Sequence, residues 1–102
     1  MARIIWSPQS KKDLKIHFAR IAKDSLSIAR KWQRKIRDAI TLLLDFPEVG
    51  SPVEEFDDSR YREQIVGNYR ILYRFERGSC YIGRIFRGEK EILSEDIHDY
   101  FS

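Results

Sequence analysis

Arginine is the residue with which this sequence could do chemistry. Between Arg60 and Lys90 the chain places eight Lys/Arg against three acids, Glu63, Glu76 and Glu89. Tyr61, Tyr69, Tyr73 and Tyr81 are interleaved with them. A guanidinium fork binds phosphate or carboxylate through two parallel N–H donors, and a tyrosine ring stacks on a base. Such a set suits RNA or an acidic peptide. It would also cleave RNA if a base, an acid and charge stabilisers met around one phosphate. A merely solvated arginine face is the alternative.

Other chemistries find little footing. His17 and His98 stand far apart, with no Cys or acidic ligands at a recognisable spacing, so neither a metal nor another cofactor is expected. There is no phosphate loop and no dinucleotide fingerprint, and no Ser-His-Asp signature. The single cysteine, Cys80, has no partner for an internal disulfide and reads as a small buried hydrophobe.

The elements that must position the arginines follow from turns and periodicity. Gly67-Asn68 and Arg77-Gly78 cut residues 60–90 into three strand-length segments, a basic antiparallel meander. A two-residue turn at Arg77-Gly78 sets Arg74 opposite Tyr81, Leu72 opposite Gly83 and Arg70 opposite Ile85. One face then carries Arg70, Arg74 and Arg87. The other carries Tyr69, Ile71, Tyr73, Phe75, Cys80, Ile82 and Phe86, with Arg84 among them. The more apolar face packs on helices, which leaves the arginine face open. Arg84 must snorkel, pair with an acid or mark a bulge. The same parity puts Arg62 opposite Tyr73 on the helix side, unless a bulge at Val66-Gly67-Asn68 reverses it.

Upstream, Arg3-Ile4-Ile5-Trp6 reads as a short strand, and Ser7-Pro8 starts a helix as N-cap and first residue. Leu14, Phe18, Ile21 and Ala22 form its apolar stripe. Asp24-Ser25 and Ser27 offer caps for a second helix of about 20 residues, with Trp32 and Ile36 on its inner stripe, ended by Phe46-Pro47. The short link makes the pair an antiparallel hairpin. Residues 47–59 read as a loop. The tail, 92–102, opens with Ile92 and Leu93. Ser94 could cap a short turn bearing Ile97, Tyr100 and Phe101. This tail is expected either to lie back across the open face or to move freely.

Length supports one α+β domain over residues 1–102, with the helices on one face of the meander. The net charge of +3 conceals a pattern. Residues 1–50 hold 11 Lys/Arg and 5 Asp/Glu. Acids then cluster at Glu54, Glu55, Asp57 and Asp58, and again at Glu91, Glu95, Asp96 and Asp99. Basic surfaces beside short acidic ones suit an acidic partner, and the acidic segments are candidates for covering the arginine face. No apolar run approaches a membrane span and no signal peptide opens the chain, so a cytoplasmic protein without membrane contact is expected.

The order of elements resembles the RelE/ParE toxin superfamily of type II toxin–antitoxin systems. The resemblance rests on Trp6-Ser7-Pro8 with Asp13-Leu14, and on Phe46-Pro47-x-x-Gly50. It continues through Arg62-Glu63-x-x-Val66-Gly67-Asn68-Tyr69-Arg70-Ile71-Leu72-Tyr73-Arg74 and ends in Tyr81-Ile82-x-x-Ile85-Phe86-x-Gly88. It covers roughly residues 3–91 and is nearest the ParE branch. It implies a small plasmid-stabilising toxin that binds DNA gyrase, without catalysis of its own, and is neutralised by a cognate antitoxin. On that reading Arg70, Arg74, Arg87 and Lys90 contact the target, and Leu14, Phe18, Trp32 and Tyr81 contact the antitoxin. Trp32 by its stripe alone reads as core. Arg87 stands where a ParE-like ending has histidine. The RelE branch implies a ribosome-dependent mRNA endoribonuclease using Arg62, Arg70 and Lys90; no Tyr or His follows at the spacing its acid–base chemistry needs. A degenerate toxin that only binds its antitoxin is the third reading, and a homodimer stays open.

Overall fold

Two serine caps set where the helices begin. A computed structural model describes residues 2–88 and 90–101; Met1, Glu89 and Ser102 lie outside them. The elements are β1 (Arg3–Trp6), α1 (Pro8–Ala22), α2 (Leu26–Leu42), β2 (Ser51–Pro52), β3 (Tyr61–Val66), β4 (Tyr69–Glu76), β5 (Ser79–Arg87), a 3₁₀ turn (Ser94–Asp96) and α3 (Ile97–Tyr100). The Ser7 hydroxyl accepts from the Ser10 N–H at 3.0 Å, and Ser25 accepts from Ile28 at 3.2 Å. Each thereby satisfies a first-turn donor that has no helical partner. The second helix stops at Leu42, short of the expected Phe46-Pro47 break. The N–H groups of Asp45 and Phe46 both turn back onto the Leu42 carbonyl, and the Leu44 carbonyl is taken by Ala2.

The strands make one sheet in the order β1-β5-β4-β3-β2. The meander is thus extended on both sides. β1 adds in parallel to β5, pairing Arg3 with Ser79 through Trp6 with Ile82. β2, within the segment expected to be loop, pairs Ser51 with Glu63 and Pro52 with Arg62. Arg77 and Gly78 both have positive φ, 52° and 77°. That is the pair of left-handed residues a tight hairpin needs, and Glu76 faces Ser79 across it. At Gly67-Asn68 the register runs straight from Val66–Tyr69 to Arg62–Tyr73, with no bulge.

The bulge lies in β5. Tyr73 faces Ile82 but Leu72 faces Arg84, so Gly83 is the extra residue. Beyond it every β5 side chain exchanges faces relative to the simple parity. Arg70 is opposite Phe86 rather than Ile85. Ile85 joins the helix-side core, and Arg84 leaves it. The helix-side core consists of Trp32, Ile36, Ile40 and Leu43 packed on Ile71, Tyr73, Ile82 and Ile85. Tyr73 is fully buried because its hydroxyl is satisfied. It donates to the Pro47 carbonyl at 2.7 Å and accepts from the Gly50 N–H at 3.0 Å. A Cβ on Gly50 would lie 2.6 Å from that hydroxyl, so only glycine lets the loop close there. Cys80 is buried in this core, and burial pushes its thiol up to about 11, which leaves it inert.

The opposite face is not open. Leu72 and, through the bulge, Phe86 put apolar area on it. Val53, Phe56, Tyr61, Ile92 and Tyr100 cover that area as a second core. The tail therefore lies back across this face, as one of the two expectations had it, but its contact is aromatic and aliphatic rather than acidic.

Candidate functional site

Beyond Ile82, β5 has no β1 partner, and its exposed edge is closed by side chains. Ser7 donates its hydroxyl to the Gly83 carbonyl at 2.7 Å. Asp13, His17 and Arg20 follow along α1 at i, i+4 and i+7, one face of the helix. The Asp13 carboxylate is buried and accepts from Arg84 Nε at 2.7 Å, Arg84 Nη2 at 3.0 Å and the Ile85 N–H at 2.9 Å. Arg84 thus both pairs with an acid and follows a bulge, two of the three resolutions its misfit allowed. Its guanidinium also lies 4.7 Å from the Phe86 ring centre.

His17 continues the edge. Its Nε2 lies 2.8 Å from the Ile85 carbonyl, which can only accept, so Nε2 carries the proton. Nδ1 then accepts from Arg20 Nη2 at 3.1 Å. The same Nη2 donates to the Tyr69 hydroxyl at 2.6 Å. Tyr69 and Trp32 pack edge-on to the imidazole, with ring centres 4.9 and 6.1 Å away. Burial holds the His17 pKa below its ordinary 6.5; the Ile85 bond opposes this, and the charges of Arg20 and Arg87 reinforce it.

The sign of the pH effect follows. A histidine whose folded pKa is depressed binds fewer protons in the native state than in the unfolded one. Its stabilisation is complete above about pH 6.5 and is lost as pH falls through that value towards the folded pKa. The guanidinium partners of Glu55, Asp58 and Glu76 hold those acids below their ordinary carboxylate values, so their contribution fails only in a more acidic range. Melting temperatures should therefore fall between pH 7 and 5 in the native sequence. The fall should be shallower in His17→Gln, which cannot titrate; equal slopes would contradict the assignment.

Two adjoining grooves open along this edge and share Arg87. One, about 510 Å³, is bordered by Ile16, His17, Arg84, Arg87 and Lys90. The other, about 370 Å³, is bordered by Arg20, Asp24, Tyr69 and Arg87. A larger cleft, about 660 Å³, lies instead beside Arg70, among Glu54, Glu55 and Glu63. Its cation is already neutralised. Arg70 donates to both oxygens of Glu55 at 3.0 Å and twice to Glu63, once at 2.9 Å. These contacts raise the Arg70 pKa above its usual value. The volume there marks a neutralised cleft, and the basic grooves are the better candidate site.

The expected residues do not form one surface. Arg74 is on the tail face with Arg70. Its guanidinium lies 4.7 Å from the Tyr81 ring centre and 5.5 Å from that of Phe101, and its Nε is buried with no hydrogen-bond partner. Arg62 is on the helix side and donates to the Gly50 carbonyl at 2.8 Å, as structural support for the 48–50 loop. Only Arg87 and Lys90 border one groove. Leu14 and Phe18 line a separate hollow of the helical hairpin with Lys11, Lys15 and Gln33. Trp32 is core, in line with its stripe, and Tyr81 is on the tail face. His17, Arg20 and the Tyr69 hydroxyl escaped sequence reasoning. The i, i+4, i+7 run of Asp13, His17 and Arg20 was the signal that could have found the first two.

An edge-closed mixed sheet with a helical hairpin on one face and a short tail on the other defines a RelE/ParE-like toxin fold. The model of the ParE toxin family (ParE toxin of type II toxin–antitoxin system, parDE) matches residues 4–92, and the chain belongs to that family. A chain of the chromosomal ParDE TA system from P. aeruginosa is similar in fold. The TM-score is 0.71 at 19% identity, over 87% of this chain and 98% of that one. No curated protein matches the sequence significantly. Among the described residues no helix is long and apolar enough to cross a membrane.

Proposed function

We propose that this toxin-family chain acts by gripping DNA gyrase through the basic end of β5, and that a cognate antitoxin neutralises it in the cytoplasm. The observation that carries the reading is the grooved edge. Arg20, Arg87 and Lys90 border it from α1, β5 and the segment after β5, while His17 has both ring nitrogens occupied. Cations without a disposable base bind and do not cleave. The nuclease set of Arg62, Arg70 and Lys90 fits less well, because Arg62 and Arg70 stand on opposite faces of the sheet and cannot meet at one phosphate. Arg70 and Arg74 reach a target only if Glu55 and the tail give way, so Arg87 and Lys90 lead the contact. The Leu14–Phe18 hollow, rimmed by Lys11 and Lys15, fits an acidic amphipathic antitoxin segment.

Purified protein should inhibit gyrase supercoiling and accumulate cleavage complexes, and an Arg87→Ala/Lys90→Ala variant should need at least about ten-fold more protein for the same effect. Messenger RNA cutting on ribosomes with no gyrase effect would overturn the proposal.

A further inference from the structure

Arg20 differs from the other half-buried arginines in what holds it. Arg62, Arg70, Arg74 and Arg84 each have a carboxylate within ion-pair range. Among the described residues Arg20 has none. Its two partners, the Tyr69 hydroxyl and His17 Nδ1, are neutral and both bind the same Nη2. Of the five N–H donors of a guanidinium, the remaining three, on Nε and Nη1, meet no protein acceptor among the described residues. The fork is nevertheless fixed, since the half-buried His17 ring and the buried Tyr69 hold one end of it. The Tyr69 hydroxyl accepts from Arg20, and its own proton has no acceptor there either. Both groups open into the 370 Å³ groove, which Arg87 also lines.

We propose that Arg20 and the Tyr69 hydroxyl form a phosphate-binding corner in a groove that Arg87 also lines. The groove offers the unused donors of one held guanidinium and the Tyr69 O–H, with the charge of Arg87 on its lining; that exceeds the single fork that satisfies a carboxylate and suits the several oxygens of a phosphate. Asp24 also lines the groove, so the anion must be held by the Arg20 and Tyr69 donors against the repulsion of one carboxylate. The phosphate belongs either to a nucleic-acid backbone, met as the toxin docks on a protein–DNA complex, or to a small free anion. The inference goes beyond the gyrase reading and stands without it.

The test uses the full chain and no gyrase. A short fluorescent DNA duplex is titrated by anisotropy over a salt series, and inorganic phosphate is titrated by the amide NMR shifts of Arg20 and Tyr69. The duplex should bind with log K falling linearly in log salt. Arg20→Ala and Arg87→Ala should each weaken binding about ten-fold and lower the salt slope by about one. Tyr69→Phe, which keeps the packed ring, should weaken it a few-fold. Arg37→Ala, on the exposed side of α2, should leave the slope unchanged. Arg87→Ala changes an exposed side chain and protects the test should Arg20→Ala fold poorly. Duplex binding without a phosphate response assigns the corner to a DNA backbone; a phosphate response lost in Arg20→Ala, without duplex binding, assigns it to a small anion. No binding of either probe, or binding that neither arginine substitution weakens, overturns the inference. Gyrase inhibition by a protein that binds neither probe would do the same and leave the gyrase reading standing. DNA binding without gyrase inhibition would separate the two the other way.

Discussion

Asp13→Ala is expected to lower folding stability by about 3 kcal/mol or more, measured by urea unfolding. Asp13 is 5% exposed and accepts from three donors on β5. Alanine leaves the Ile85 N–H orphaned beneath α1, at about 1–3 kcal/mol. It also strips Arg84 of its bidentate partner. The Arg84 side chain is 25% exposed, so water recovers part of that loss and the total stays below the sum of isolated costs. Asp13→Asn keeps one acceptor oxygen for the N–H but turns an amide donor towards the guanidinium, so it should lose roughly half as much. A loss below about 1 kcal/mol in Asp13→Ala would mean that solvent already satisfies the edge and that α1 does not close it.

The same corner shows what could be read from the sequence. Ser7-Pro8, Ser25 and Arg77-Gly78 act locally, each through a cap or a turn that its own residue type dictates, and each is where it was expected. Arg74 opposite Tyr81 is also right, because it is counted outward from that turn before anything interrupts the ladder. Gly83 interrupts it. The bulge is not a local preference. It answers to the tail crossing above it and to Ser7 taking its carbonyl, contacts 17 and 76 residues away in the chain. Every face assigned beyond it in β5 therefore reversed, Ile85 and Phe86 included. The closure of the arginine face was half legible. Acidic residues were candidates to cover it, and Glu55 does sit on Arg70. The apolar cover formed by Ile92 and Tyr100 needs Phe86 on that face, which only the bulge provides. The candidate site was harder still. Arg87 and Lys90 stood out by charge, whereas Arg20 matters because no carboxylate among the described residues pairs with it, which is a property of three-dimensional neighbours alone.

Gly83→Val should detach the tail while leaving the sheet in place. Gly83 lies in a strand, and a β-branched residue suits strand backbone, so the cost is one of space. A Cβ there would lie 2.6 Å from the Tyr100 carbonyl oxygen and 2.8 Å from the Phe101 ring. The Phe101 ring is held in turn near Arg74, and the Tyr100 hydroxyl accepts from the Leu93 N–H at 3.2 Å, so neither can step aside alone. Lifting the segment exposes Ile92 and Tyr100 and uncovers Leu72 and Phe86 beneath. At about 1.5–3 kcal/mol per buried large side chain, less the ordering entropy the tail regains, the expected loss is about 2–4 kcal/mol. It should come with dye binding to the uncovered face and faster hydrogen exchange in residues 92–101. The deciding comparison is a chain ended before Ile92. There the same substitution should cost less than about 1 kcal/mol, because the atoms it strikes are gone. An equal cost in both backgrounds would place the strain in the β5 bulge itself and refute the assignment of Gly83 as the seat of the tail.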